Sequence, residues 1–246
     1  MLDEGNYQKA KAFLIPLAQS VNEEAADVLH LGMTVDSWVV ELHGTLRTGL
    51  GKRIDNEIDS IQDSIFKEGR VRVWRNGKTD VFLPAPDDDV VFVFSYILQH
   101  FFKGGIGLRQ ICDWCRLLWT YRDTIDKGLL EGRLKRMGLM SEWKTFAALA
   151  VEWLGMPVEA LPLYSSERKW SRKARKVMAI VLETGNFGHN RDMSYYEKYP
   201  YLVFKAISWW NYTCDSLRHM MIFPKDAARV WLLRLKASAK AVAKGK

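Results

Sequence analysis

The spacing of apolar residues changes character about a third of the way along the chain. At the start, Tyr7, Ala10, Phe13, Leu14 and Leu17 recur every three or four positions. This predicts a helix from 6 to about 18, capped by Asn6 and bent or shortened at Pro16. Segments 28–34 and 38–45 then predict two strands joined by a turn at Asp36-Ser37. A polar helix is predicted over 52–67. Strands at 71–75 and 79–83 flank Asn76-Gly77, a two-residue hairpin signal. Beyond Pro84-Ala85-Pro86 the strand pattern stops. Apolar helices are predicted over 87–102 and 108–121, separated by Gly104-Gly105-Ile106-Gly107, with further helices near 123–137, 141–154, 167–184, 200–221 and 225–243. No fixed-period repeat interrupts them. The pattern predicts an α+β chain: a small β-rich region over 1–84, followed by a mainly helical domain over 85–246.

Composition narrows the class. With 48% apolar residues and 10 Trp the chain has ample material for a packed core, which excludes a disordered protein. The longest apolar stretch, 90–102, contains Ser95, Gln99 and His100 and falls short of the ~20 residues a spanning helix needs. Met1-Leu2-Asp3-Glu4 does not read as a signal peptide, and three Cys do not make a disulfide framework, so a reducing cytoplasm is expected. The net charge of +7 gathers in two places: Arg168, Lys169, Arg172, Lys173, Arg175 and Lys176, and a tail from Lys225 to Lys246. Such runs attract phosphates of nucleotides, nucleic acid or a membrane surface, and equally serve as solvated helix faces.

Chemistry first appears in Trp38-Val39-Val40-Glu41-Leu42-His43. Strand side chains alternate, so Val39, Glu41 and His43 share one face, while Trp38, Val40 and Leu42 share the other. An acid in a hydrophobic strand is costly if buried alone. Glu41 is therefore exposed, paired with a base, or bound to a cation.

The strand Val39-Val40-Glu41-Leu42-His43 is one of several segments that together resemble the uncharacterised bacterial nucleotidyltransferases of the polymerase-β-like superfamily. The others are Gln99-His100-Phe101-Phe102, the run from Gly104 to Trp114, and Gly185-Asn186-Phe187-Gly188-His189. In that superfamily a Gly-Ser or Gly-Gly turn precedes a strand bearing an Asp-x-Asp or Asp-x-Glu pair, and a later strand carries a third acid. The three carboxylates hold two Mg²⁺ ions that bind the triphosphate and activate the acceptor hydroxyl. The resemblance implies that Glu41 is the third acid, a metal ligand, and that His43 orients Glu41 or the acceptor. It also implies NMP transfer from Mg-NTP to an acceptor the sequence does not identify.

The chain departs from the pattern at its start. Nothing before Asn6 supplies the turn or the paired acids; Asp3 and Glu4 are adjacent and would face opposite ways. Met1-Leu2-Asp3-Glu4 reads as the end of the first acidic strand, with the motif lying upstream. Loss of two of three ligands costs at least roughly a thousandfold in rate, so little turnover is expected from this chain alone. A strand edge near 38–45 is then expected to be unpaired, which favours self-association or completion by another polypeptide.

Other motifs have plainer readings. Asp87-Asp88-Asp89 matches Asp-x-Asp but follows Pro86, where acids cap a helix. The glycine run at 104–107, with Lys103 and Arg109 beside it, is either a phosphate cradle or a tight turn between helices. Arg109 and Asp113 pair along one helix face, as structural glue if that face is buried and as a triphosphate contact if it borders a cleft. Cys112 and Cys115 lie mid-helix, away from the helix start a redox pair uses. The competing function is a non-catalytic helical module that binds a protein or nucleic acid through its basic patches.

Overall fold

The computed structural model describes residues 2–24, 29–188, 190 and 194–243. The internal contacts of the chain divide it into two units, Met1–Asp88 and Asp89–Lys246. Among the described residues strands are confined to the first, so the arrangement is α+β.

The first unit opens with α1 (Glu4–Leu14), which closes in a 3₁₀ turn (Ile15–Leu17) around Pro16. Asp3, not Asn6, is the cap: its carboxylate accepts from the Asn6 N–H at 2.9 Å and satisfies one of the donors a helix start leaves open. Three antiparallel strands follow, β1 (Ser20–Val21), β2 (His30–Val35) and β3 (Trp38–His43), in spatial order β1-β2-β3. The sequence pattern does not predict β1, which is too short to carry a periodic signal.

Asp36 and Ser37 both adopt positive φ, 47° and 69°, as the mirror-image two-residue hairpin turn requires. That turn fixes the register: His30 lies opposite His43, Leu31 opposite Leu42 and Gly32 opposite Glu41. One face of the pair buries Leu31, Met33 and Leu42 around Tyr7 of α1. Trp38 shares that face by alternation, yet at the end of the strand it is exposed. β3 is an edge strand, and the Leu2 N–H donates to the His43 carbonyl at 2.9 Å along its outer side.

α2 (Lys52–Phe66) buries Ile54, Ile58, Ile61 and Ile65, one per turn. Asp55 in its first turn accepts from the Thr48 and Gly49 N–H groups, so the loop before the helix is satisfied by the chain's own carboxylate. The hairpin β4 (Val71–Asn76) and β5 (Thr79–Pro84) pairs Asn76 with Thr79. Its two turn residues are Gly77 and Lys78, one position later than expected, because Gly77 supplies the positive φ (61°) at the first turn position. Asp87 and Asp88 fall in the first turn of α3 (Pro86–Lys103), where Asp88 is buried and accepts from the Ser64 hydroxyl at 3.2 Å. Arg70 approaches both acids. Asp87 and Asp88 therefore sit at a helix start, tied into the first unit.

The second unit continues α3 and adds α4 (Leu108–Tyr121), α5 (Lys127–Met137), α6 (Met140–Leu154), α7 (Arg168–Thr184), α8 (Tyr195–Lys198), α9 (Tyr201–Met220) and α10 (Pro224–Ala243). Its core is aromatic. Phe94 packs against Trp143, Trp114 and Phe146 at ring-centroid distances of 4.9, 5.4 and 5.8 Å, mostly edge to face. Among the described residues no helix is long and apolar enough to cross a membrane.

Candidate functional site

The solvent face of the β2–β3 hairpin carries His30, Gly32 and Thr34 on one strand and Val39, Glu41 and His43 on the other. Three of these side chains converge. The Oε2 atom of Glu41 lies 3.5 Å from His43 Nε2 and 3.9 Å from His30 Nε2. The two imidazoles stack, with centroids 4.5 Å apart and planes inclined by 28°. One ligand atom from each residue lies within 4.8 Å of the other two. Glu41 is more than half exposed, which answers the question posed by an acid in a strand: it faces water beside two histidines. Burial, and next to it the neighbouring His30 ring, hold the His43 pKa below its ordinary value, against the pull of Glu41. Near neutral pH that ring is uncharged and keeps a nitrogen lone pair.

Of the residues the sequence singles out, Glu41 and His43 come together here. His30 is the addition that sequence reasoning missed, although the turn at Asp36-Ser37 already places position 30 opposite position 43. Lys103 and Arg109 belong to the second unit, on either side of the glycine turn. The Arg109–Asp113 pair spans 4.0 Å with both side chains well exposed, so it is not glue between helices. As a solvated pair it is worth about 0.3–0.5 kcal/mol.

The glycine turn itself is a packing device. A Cβ on Gly105 (φ 103°) would stand 2.8 Å from the Gly185 carbonyl and 3.2 Å from the Gly188 nitrogen. The 185–188 turn therefore packs directly on the backbone of Gly105, as a tight helix–helix turn does. Gln110 reinforces the contact with a 2.5 Å hydrogen bond to Asn186 and also accepts from the Gly107 N–H. Two motifs read separately in the sequence are thus two sides of one joint. His189 lies outside the described residues. Burial pushes the Cys115 thiol up to about 12, so the C-x-x-C is inert at its buried end.

Residues 2–155 match the family described as uncharacterised nucleotidyltransferases. The chain belongs to that family. The matched range runs through α6 and includes the hairpin with Glu41 and the glycine turn, while Gly185-Asn186-Phe187-Gly188-His189 and α7–α10 lie beyond it. Comparison with curated proteins and with solved structures finds no significant match to either.

Nucleotidyltransferases commonly use Mg²⁺, an ion that prefers oxygen ligands and keeps several waters. The donors gathered on the hairpin are one carboxylate and two imidazoles, the only such cluster of three among the described residues. Two nitrogens out of three do not fit an Mg²⁺ cage.

The basic helices offer a different surface. Arg168, Lys169, Arg172, Arg175 and Lys176 of α7 are exposed, whereas Lys173 turns inward to the Ser141 hydroxyl at 2.8 Å. On α10, Lys225, Ala228, Arg229, Leu232, Leu233 and Lys236 line an open groove of about 410 Å³. Two α10 bases already serve the fold: Arg229 pairs with Asp226, and Arg234 donates to the Lys103 carbonyl.

Proposed function

We propose that this nucleotidyltransferase-family chain binds a nucleoside triphosphate at the exposed face of β2–β3, and that the reaction it supports is NMP transfer. In such a transfer an acceptor oxygen attacks the α-phosphorus, the bond to pyrophosphate breaks, and the acceptor proton passes to a base. Glu41 and His43 are the groups proposed to act: Glu41 as the anionic oxygen donor, His43 as the neutral ring that orients it from 3.5 Å. The family match over 2–155, with an unburied acid inside the matched range, carries this reading. Because the described residues of this face supply one carboxylate, turnover by the chain alone is expected to be slight. Binding is therefore the test. Calorimetric titration of Mg-ATP and Mg-GTP into the purified protein is expected to show saturable binding, weakened at least tenfold by Glu41→Ala. Absence of heat with every Mg-NTP, in a chain shown to be folded, would end the nucleotide reading.

The alternative, a module that binds a protein or nucleic acid, is favoured by the exposed bases of α7 and the groove on α10. It predicts salt-sensitive binding to polyanions that Glu41→Ala leaves unchanged.

A further inference from the structure

We infer that His30, Glu41 and His43 form a binding site for a first-row transition-metal ion such as Zn²⁺, Mn²⁺ or Co²⁺, rather than for Mg²⁺. The inference concerns the same face of the hairpin as the nucleotide proposal but stands on the donor geometry alone.

The hairpin register does the assembling. A two-residue turn sets His30 directly across from His43, and alternation puts Glu41 on the same face two residues along. Directly opposite Glu41 the chain has Gly32, whose missing side chain leaves the space filled by Asn22. A Cβ there would stand 2.8 Å from the Asn22 amide nitrogen. The side chain beside that position is thus the Asn22 amide, since a residue larger than glycine at 32 would displace it.

The present contacts among the three donors are poor as hydrogen bonds. At 3.9 Å the His30–Glu41 approach is too long, and the Nε2 atom of His30 is buried with no hydrogen-bond partner. Buried polar atoms without partners are rare and costly. Two stacked imidazoles aimed at one carboxylate oxygen are the arrangement a shared cation resolves. Three ligands held at about 2.0–2.2 Å around one ion lie roughly 3.0–3.5 Å apart. The two carboxylate-to-imidazole separations, 3.5 and 3.9 Å, lie at or within about half an ångström of that range, and with all three ligand atoms within 4.8 Å of one another, binding draws the two rings together.

The donor types select the ion. Two imidazole nitrogens and one carboxylate suit Zn²⁺ and its first-row neighbours, and two histidines with one carboxylate leave coordination positions open. Exposure of Glu41 turns those open positions to solvent, within reach of water or of a phosphate oxygen.

The test is calorimetric titration of Zn²⁺, Mn²⁺ and Mg²⁺, each alone, into the full chain carrying Cys112→Ser and Cys214→Ser, which removes the two less buried thiols. One equivalent of Zn²⁺ is expected, with Mg²⁺ at least a hundredfold weaker. His30→Gln, Glu41→Gln and His43→Gln are each expected to weaken Zn²⁺ at least tenfold, with circular dichroism showing that each variant is folded. Co²⁺ bound to the same protein is expected to lose its visible absorption in the same three variants. Zn²⁺ binding unaltered by all three substitutions, or Mg²⁺ binding as tightly as Zn²⁺, overturns the inference. Zn²⁺ binding without Mg-NTP binding would uphold this site while ending the nucleotide reading, and the reverse result would do the opposite.

Discussion

Trp143→Ala is expected to remove about 3–5 kcal/mol from the stability of the helical unit, the cost typical of deleting a buried aromatic side chain. The indole is fully buried, 4.9 Å from Phe94 and 5.0 Å from Trp114 between ring centroids. Its Nε1–H also donates to the Pro162 carbonyl at 2.8 Å. Truncation opens a cavity among rigid rings that cannot collapse to fill it, and it leaves the carbonyl without that donor. Trp143→Phe keeps most of the volume and loses the hydrogen bond, so a smaller loss of about 1–2 kcal/mol is expected. Urea unfolding followed by circular dichroism measures both. A loss below about 1 kcal/mol for the alanine variant would mean that these rings do not form the centre of the core.

The second large effect is a dependence on pH. Glu142 of α6 is buried beside Asp226 of α10. Burial first, and then the charge and hydrogen bond of Asp226, push the Glu142 carboxyl up to about 8, while Lys173 pulls the other way. A folded-state value above the unfolded one means that the native protein holds the extra proton in between. This contribution is fully present below the ordinary carboxyl range and is lost as pH rises toward 8, at up to ~1.4 kcal/mol per pH unit for one proton. Melting temperature is therefore expected to fall by several degrees between about pH 5 and pH 8. At this size 1 kcal/mol corresponds to about 2–4 °C. Glu142→Gln, neutral at every pH, is expected to flatten the slope. An equally steep fall in that variant would assign the pH dependence to other groups.

Much of the fold is legible because it rests on local signals. The helices α4, α6, α7 and α9 follow the 3.6-residue recurrence of their apolar positions, and the β2–β3 turn is visible at Asp36-Ser37 because short polar residues tolerate positive φ there. What escapes the sequence has identifiable causes. Two-residue β1 is specified by pairing with Thr34 and Met33, not by any pattern of its own. The cap is Asp3 instead of Asn6 because either residue type can accept the bond, and only the backbone path decides which does. The joint between Gly105 and Gly185 brings together residues eighty positions apart, which no local reading could join.

The site is half legible for a similar reason. Alternation alone puts Glu41 and His43 on one face, but His30 emerges only when strand pairing is combined with the turn. His30 matters to the metal inference, since a carboxylate between two imidazoles would be a different ligand set from the all-oxygen cage the resemblance implies.

The most direct measurement is a ¹H–¹⁵N nuclear magnetic resonance map of the protein titrated with Mg-NTP. On this account shifts are expected to centre on residues 30–32 and 41–43, and in Glu41→Ala to need at least tenfold more Mg-NTP to appear. Perturbations confined to α7 and α10, with the hairpin unmoved, would contradict it.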